Sequence, residues 1–350
     1  MTERTQDPCR REFLRLFTAG ALGLILPGGS PLSAQKAAGK PLRGIFPIAQ
    51  SPFTESNELD LAALAEEVKF IDRGRVHGFV WPQMASEWST LTERERFEGA
   101  EAITDAGRKL RPAIVIGVQG PDVATAVRYA KHAEKMGADA VISLPPSENI
   151  DPKGALEYYR EVGKATELPL FVQAVGSMSV DLIVEISRAA PTMRYVKDEA
   201  GQPLNRILPL REKSSEQIKV FSGAHGRTLI EEMRRGSSGS MPAAPFADLY
   251  AATWDLWHAG RRREAMDMHA RTLLILTEMN NYGLEATKYI LYLRGVFKTW
   301  SIRGGGSQGF PSAAKLAAGG QQERSRSSLD EAAKQSLREA LEFVKPYLRA

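Results

Sequence analysis

The chain has 350 residues, 43% of them hydrophobic and 25% charged, with a formal net charge of +4. That length fills one large domain or two modest ones with ample core. Basic and acidic residues are interleaved, without the aromatic-studded basic block of a nucleic-acid surface, so no nucleic-acid partner is expected.

Residues 1–35 read as an export signal. Arg10-Arg11-Glu12-Phe13-Leu14 precedes a moderately apolar stretch, Leu16 to Pro27, then Gly28-Gly29, Pro31 and a small-residue site, Leu32-Ser33-Ala34. This is the layout of a cleaved signal. The paired arginines followed by x-Phe-Leu fit the twin-arginine route; the alternatives are an ordinary secretory signal or a surface helix carrying two arginines. The apolar stretch is short for a membrane span. A periplasmic or extracellular protein with no stable membrane span is therefore expected. The only cysteine, Cys9, precedes the arginines, which excludes a disulfide framework, a cysteine-ligated metal and a cysteine nucleophile from the mature chain.

From Pro41 onward, short apolar runs alternate with amphipathic segments. Strands are expected over Gly44–Ile48, His77–Trp81, Ala113–Gly117, Ala138–Leu144, Leu168–Ala174, Met193–Lys197, Ile218–Ser222 and Ser238–Met241. Helices are expected between them over Leu61–Arg73, Glu93–Lys109, Val123–Lys135, Pro152–Ala165, Ser179–Ala189, Leu204–Ser214 and Arg227–Arg235. Continuous apolar strands are buried on both faces, and each interval holds one β/α unit. Eight units over 41–245 predict a (β/α)₈ TIM barrel. An open doubly wound sheet would carry a glycine-rich first turn, whereas this turn is Ala49-Gln50-Ser51-Pro52-Phe53 and no P-loop follows. Residues 246–350 form a helical region: Phe246–Ala259, Arg261–Met279 and Gly283–Phe297, then a Gly/Ser-rich loop at 303–320 and a last helix, Leu329–Leu348.

In a barrel, reactive groups gather at the C-terminal strand ends. Those ends read Ser51, Gln83-Met84-Ala85-Ser86-Glu87, Gln119, Pro145-Pro146-Ser147, Gln173, Lys197, Gly223-Ala224-His225 and Ser240-Met241-Pro242. Lys197 is the lysine of that set. A buried lysine is biased toward the neutral amine, a nucleophile toward ketones; the alternative is a lysine paired with Asp198 or Glu199. Asp198, next in the strand, points away from Lys197; Glu199 is not oriented by the sequence. His77, His132, His258 and His269 share no metal-ligand spacing.

Several of these stretches together resemble one family. Ser51-Pro52-Phe53 stands where that family has Thr-Pro-Phe. Ser86-Glu87-Trp88-Ser89-Thr90-Leu91-Thr92-Glu93-Arg94-Glu95 is similar to its GES-x-x-L-x-x-x-E segment. Tyr195-Val196-Lys197-Asp198-Glu199-Ala200-Gly201 resembles the G-(I/L)-K-(E/D)-x-(S/T/A)-G segment of the Schiff-base lysine, and Phe221-Ser222-Gly223 and Gly236–Pro245 resemble the turns that follow. The chain, over about residues 41 to 300, thus resembles the dihydrodipicolinate synthase / N-acetylneuraminate lyase family of class I, Schiff-base-forming aldolases. The resemblance implies a (β/α)₈ barrel with a C-terminal helical extension, a homo-oligomer (dimer or tetramer), no cofactor, and a small-molecule carbonyl or 2-oxo acid substrate. It implies an imine on Lys197, with aldol cleavage, condensation or dehydration as the reaction.

The departures are specific. Met84 and Ala85 stand where the family has two threonines that hold a substrate carboxylate, so backbone donors remain and both hydroxyls are gone. An ungapped count anchored on Gly154 puts Ser147 at the family's catalytic tyrosine, and serine has no comparable phenolic pKa. The fifth strand's Tyr-Asn-x-Pro reads Gln173-Ala174-Val175-Gly176. Lys197 and Ser147 are the expected catalytic residues, with Ser51, Met84, Ala85, Gln173, His225 and Ser240 expected at the substrate. Two other readings stay open: a catalytically degenerate barrel that binds a small organic acid without turnover, and an imine-free enzyme using Glu87 and His225 as acid and base.

Overall fold

The computed structural model describes residues 39–303 and 327–350. The expected export signal at 1–35 lies outside the described residues, as does all of the 303–320 loop beyond Arg303. Among the described residues no helix is long and apolar enough to cross a membrane.

Eight parallel strands form the core: β1 (Gly44–Ile45), β2 (Gly78–Trp81), β3 (Ala113–Gly117), β4 (Ala140–Ser143), β5 (Leu170–Ala174), β6 (Met193–Asp198), β7 (Lys219–Ser222) and β8 (Gly239–Ser240). They pair in the order β1-β8-β7-β6-β5-β4-β3-β2. A parallel bridge between Ile48 and Val80, with Ala49 N–H donating to Val80 O at 2.9 Å, joins the two ends of the ring. This is the expected TIM barrel.

The helices between the strands begin where short polar side chains can take up their free N–H groups. Asp60, Asp122, Asp151 and Ser179 each accept from the N–H three residues on, starting α1 (Leu61–Arg73), α3 (Val123–Met136), α4 (Pro152–Lys164) and α5 (Val180–Ala189). Thr92 and Glu95 cap each other reciprocally at the start of α2 (Glu93–Gly107). Helices α6 (Ile207–Lys213), α7 (Leu229–Arg234) and α8 (Ala247–His258) complete the outer ring. The two helices expected over 261–297 both form, as two stretches of α9 (Arg262–Leu293) that meet at a kink at Gly283, where φ of 67° and ψ of −145° suit only glycine. The last helix is α10 (Glu331–Val344), capped by Asp330.

The strands bury both faces, and the two-residue period divides them. Ile45, Phe79, Ile114, Val141, Val172, Val196 and Val220 pack outward against the helices, while Phe46, Val80, Val115, Ile142, Phe171 and Phe221 fill the interior with Tyr195 beside them. Phe171 stacks on Tyr195 with centroids 4.4 Å apart, and Phe221 meets Phe46 and Phe171 edge-on at 5.3 Å. These rings plug the barrel. Two residues further along β5 and β6, the same inward face presents Gln173 and Lys197, which are paired in register.

The C-terminal helices are fastened to the barrel by buried charge. Arg294, just past α9, donates to both carboxylate oxygens of Asp248 at 3.0 and 2.9 Å. Glu87, after β2, pairs with Lys288 and accepts the Arg303 N–H at 2.7 Å. The Arg303 guanidinium reaches Glu95 at 2.8 and 3.1 Å. Such pairs are costly to break singly, because the partner left behind is a buried charge.

Candidate active site

Strand parity aims Lys197 at the barrel axis above the aromatic plug. Its side chain is buried, yet it borders a cavity of about 280 Å³ at the C-terminal strand ends. The cavity is lined by Met84 and Ala85 after β2, Glu148 after β4, Val175 and Gly176 after β5, Lys197 and Glu199 from β6, His225 after β7 and Met241 after β8, with Gln83, Ile48, Ala224, Pro242 and Ala243 between them. None of these lining residues carries a hydroxyl side chain.

The Lys197 amine lies 2.9 Å from Glu199 Oε2. Glu199 continues the β6 ladder, its N–H donating to Ala174 O at 2.9 Å, and so faces the same way as Lys197. The same Oε2 accepts from Gln173 Nε2 at 2.5 Å, while Ala224 N–H reaches Oε1 at 3.4 Å. Glycine at 223 makes room, since a Cβ there would stand 1.8 Å from Glu199 Oε1. Burial works to raise the Glu199 carboxyl, but the Lys197 cation, the Gln173 amide and the Ala224 N–H outweigh it and hold the carboxyl below its ordinary range. His225 sits at φ of 56° in the left-handed region, with its carbonyl accepting from Tyr250 Oη at 2.5 Å. Burial, reinforced by the Lys197 charge, lowers the pKa of the His225 imidazole and favours its neutral form.

The neighbouring carboxylates are occupied elsewhere. Asp198 points outward and accepts from Arg206 Nε at 2.7 Å, as strand alternation requires. Glu87 is closed into its pair with Lys288 away from the cavity, so the Glu87–His225 acid–base couple of the imine-free alternative is not assembled.

A model of the dihydrodipicolinate synthetase family matches residues 41–304. The chain belongs to that family. An L-2-keto-3-deoxyarabonate dehydratase of Azospirillum brasilense is 26% identical over 266 residues, covering 73% of this chain and 85% of that protein. The crystal structure of a dihydrodipicolinate synthase from Rhodopseudomonas palustris superposes with a TM-score of 0.73 at 22% identity, over 86% of this chain and 97% of that one. That of an N-acetylneuraminate lyase from Mycoplasma synoviae gives 0.71 at 18%, over 87% and 97%. The likeness to both structures is one of fold.

Within this dihydrodipicolinate synthetase family barrel, Lys197, Met84, Ala85 and His225 come together around the cavity. Gln173 stands behind it, bonding to Glu199 and approaching Met84 Sδ at 3.8 Å. Three further expected residues do not reach it either. Ser147 is exposed in the loop after β4, its hydroxyl turned to the Asn149 N–H at 3.3 Å; the next residue, Glu148, lines the cavity instead, because a count along the chain does not fix which way a turn points. Ser51 is buried, donating to Ser86 O at 2.5 Å and accepting from the Trp81 indole at 3.0 Å. Ser240 lies on the outward parity of β8, where its Oγ accepts from Ser222 at 3.1 Å. Glu148 is the cavity carboxylate that sequence reasoning missed; of the two acids offered as partners of Lys197, the pair forms with Glu199, which the sequence left unoriented. Extending the strand period one step past Asp198 is the signal that finds Glu199.

Proposed function

We propose that this protein is a lyase of the aldolase type, acting on a 2-oxo acid or related carbonyl compound through an imine on Lys197. The observation that carries the reading is the placement of the Lys197 amine on the cavity, above the plug and against a carboxylate. Only the neutral amine attacks a carbonyl, so imine chemistry needs a group that takes the proton from the lysine. The turn bearing Met84 and Ala85 supplies backbone N–H groups for the substrate carboxylate, without side-chain hydroxyls. Membership of a family whose relatives include a keto-deoxy-acid dehydratase supports lyase chemistry.

Borohydride reduction in the presence of pyruvate tests it. A mass gain equal to the reduced imine is expected on the Lys197 peptide, and none in Lys197→Arg. Absence of an adduct with pyruvate and a panel of other 2-oxo acids, alongside retained ligand binding, would establish a binding barrel instead.

A further inference from the structure

An imine-forming lysine needs a partner that removes a proton from nitrogen and returns one to the departing oxygen. Among the residues lining this cavity, Glu148, Glu199 and His225 have side chains that can accept or donate a proton besides Lys197 itself. Glu148 stands on the exposed loop after β4. The His225 ring is held by no hydrogen bond among the described residues. Glu199 alone of the three touches the amine, at 2.9 Å, and it is fixed from three strands: its own β6, Gln173 on β5 and the Gly223-Ala224 turn after β7.

We infer that Glu199 is the proton-transfer group for Lys197. The assignment rests on the imine reading above. In the resting pair the ammonium faces the carboxylate. Glu199 takes one proton, leaving a neutral amine and a carboxylic acid. The amine nitrogen attacks the carbonyl carbon, the C=O π pair moves to oxygen, and a proton passes from nitrogen to that oxygen to give a carbinolamine. Glu199 then protonates the hydroxyl, the C–O bond breaks, water leaves, and an iminium remains beside a restored carboxylate. The sum is ammonium plus ketone giving iminium plus water. An ion pair sealed in packing cannot do this, since the reaction needs space for the carbonyl, and the cavity supplies it.

The charged or titratable groups around Glu199 are Lys197 on its own strand, His225 from the loop after β7 and Glu148 on the cavity wall after β4; Asp198 is engaged by Arg206. The test is the rate of imine formation with pyruvate, sampled by borohydride quench at successive times and across pH. In Glu199→Gln the rate is expected to fall by roughly 10²–10⁴-fold, with the acid limb of the pH profile gone and adduct still forming on Lys197 at long times. An unchanged rate and profile would overturn the assignment of Glu199 and leave the imine on Lys197 standing. A wild-type protein that forms no adduct overturns the imine reading itself, before any variant is made. Should the amide variant not fold, Glu199→Asp keeps the charge and shortens the reach. A loss of about 10²-fold there supports the role, and a wild-type rate overturns it.

Discussion

Lys197 and Lys288 are both buried, and each is paired with a glutamate, yet their surroundings separate them. Lys288, on α9, has no exposed surface. It pairs with Glu87, donates to Ser301 O at 2.7 Å and sits 4.3 Å from the centroid of the Phe53 ring. Burial lowers its pKa against the pull of Glu87, and packing closes every side. Lys197 has the same kind of partner but borders open space. A closed pair holds chain segments together; a pair beside a cavity can pass its proton to a third molecule. The identity of the residues does not distinguish the two roles, and the space around them does.

The comparison breaks most visibly at the lysines. Lys197→Ala is expected to abolish the borohydride-trapped adduct with pyruvate while the thermal transition stays cooperative; an adduct of wild-type yield would move the nucleophile elsewhere. Lys288→Met is expected to cost about 3–5 kcal/mol in denaturant unfolding, because Glu87 is left as an unpaired buried charge. A wild-type midpoint would mean that the closed pair contributes little.

A subtler probe is Gly223→Ala. Its Cβ would come within 1.8 Å of Glu199 Oε1 and push the carboxylate from the amine. Imine formation should slow by about 10²-fold, the scale of an ångström's misplacement, and a wild-type rate would show the carboxylate's position to be unimportant.

The smallest effect belongs to the closed side. Glu67 is fully buried beside that cluster, its Oε1 accepting the Gln50 N–H at 3.2 Å. Burial raises its pKa well above the ordinary 4.5, while the Gln50 N–H and Lys288 pull it down. A raised folded value means stability fully present below the unfolded value and lost as pH rises through the folded one. Glu67→Gln should therefore melt higher than wild type at pH 8 and alike at pH 4; a shift of equal size at both would remove Glu67 from the titration. Glu199 has the opposite sign. Its lowered carboxyl stabilises the fold above the unfolded value of 4.5, and that contribution is lost as pH falls through the lower folded value.

Local rules placed much of this in the sequence. Helices start at Leu61, Glu93, Val123 and Pro152 because Asp60, Thr92, Asp122 and Asp151 stand before them. Lys197 is legible because it closes an apolar strand, at the end of the barrel where reactive groups gather. Glu199 is named by the sequence as a possible partner but not oriented, since the sequence does not say how far the ladder continues past the apolar run. Ser147 was misplaced because turn geometry decides which loop side chain faces in. The Glu87–Lys288 and Glu95–Arg303 pairs join residues about 200 positions apart, beyond the reach of any local pattern.

The rings of Phe46, Phe171, Phe221 and Tyr195 have a kinetic consequence. They pack the barrel interior beneath Lys197, so among the described residues the cavity is closed on that side. Whatever is made there leaves along the path by which the next molecule arrives. Product and substrate then compete for one doorway, and a product that lingers is expected to inhibit competitively with substrate.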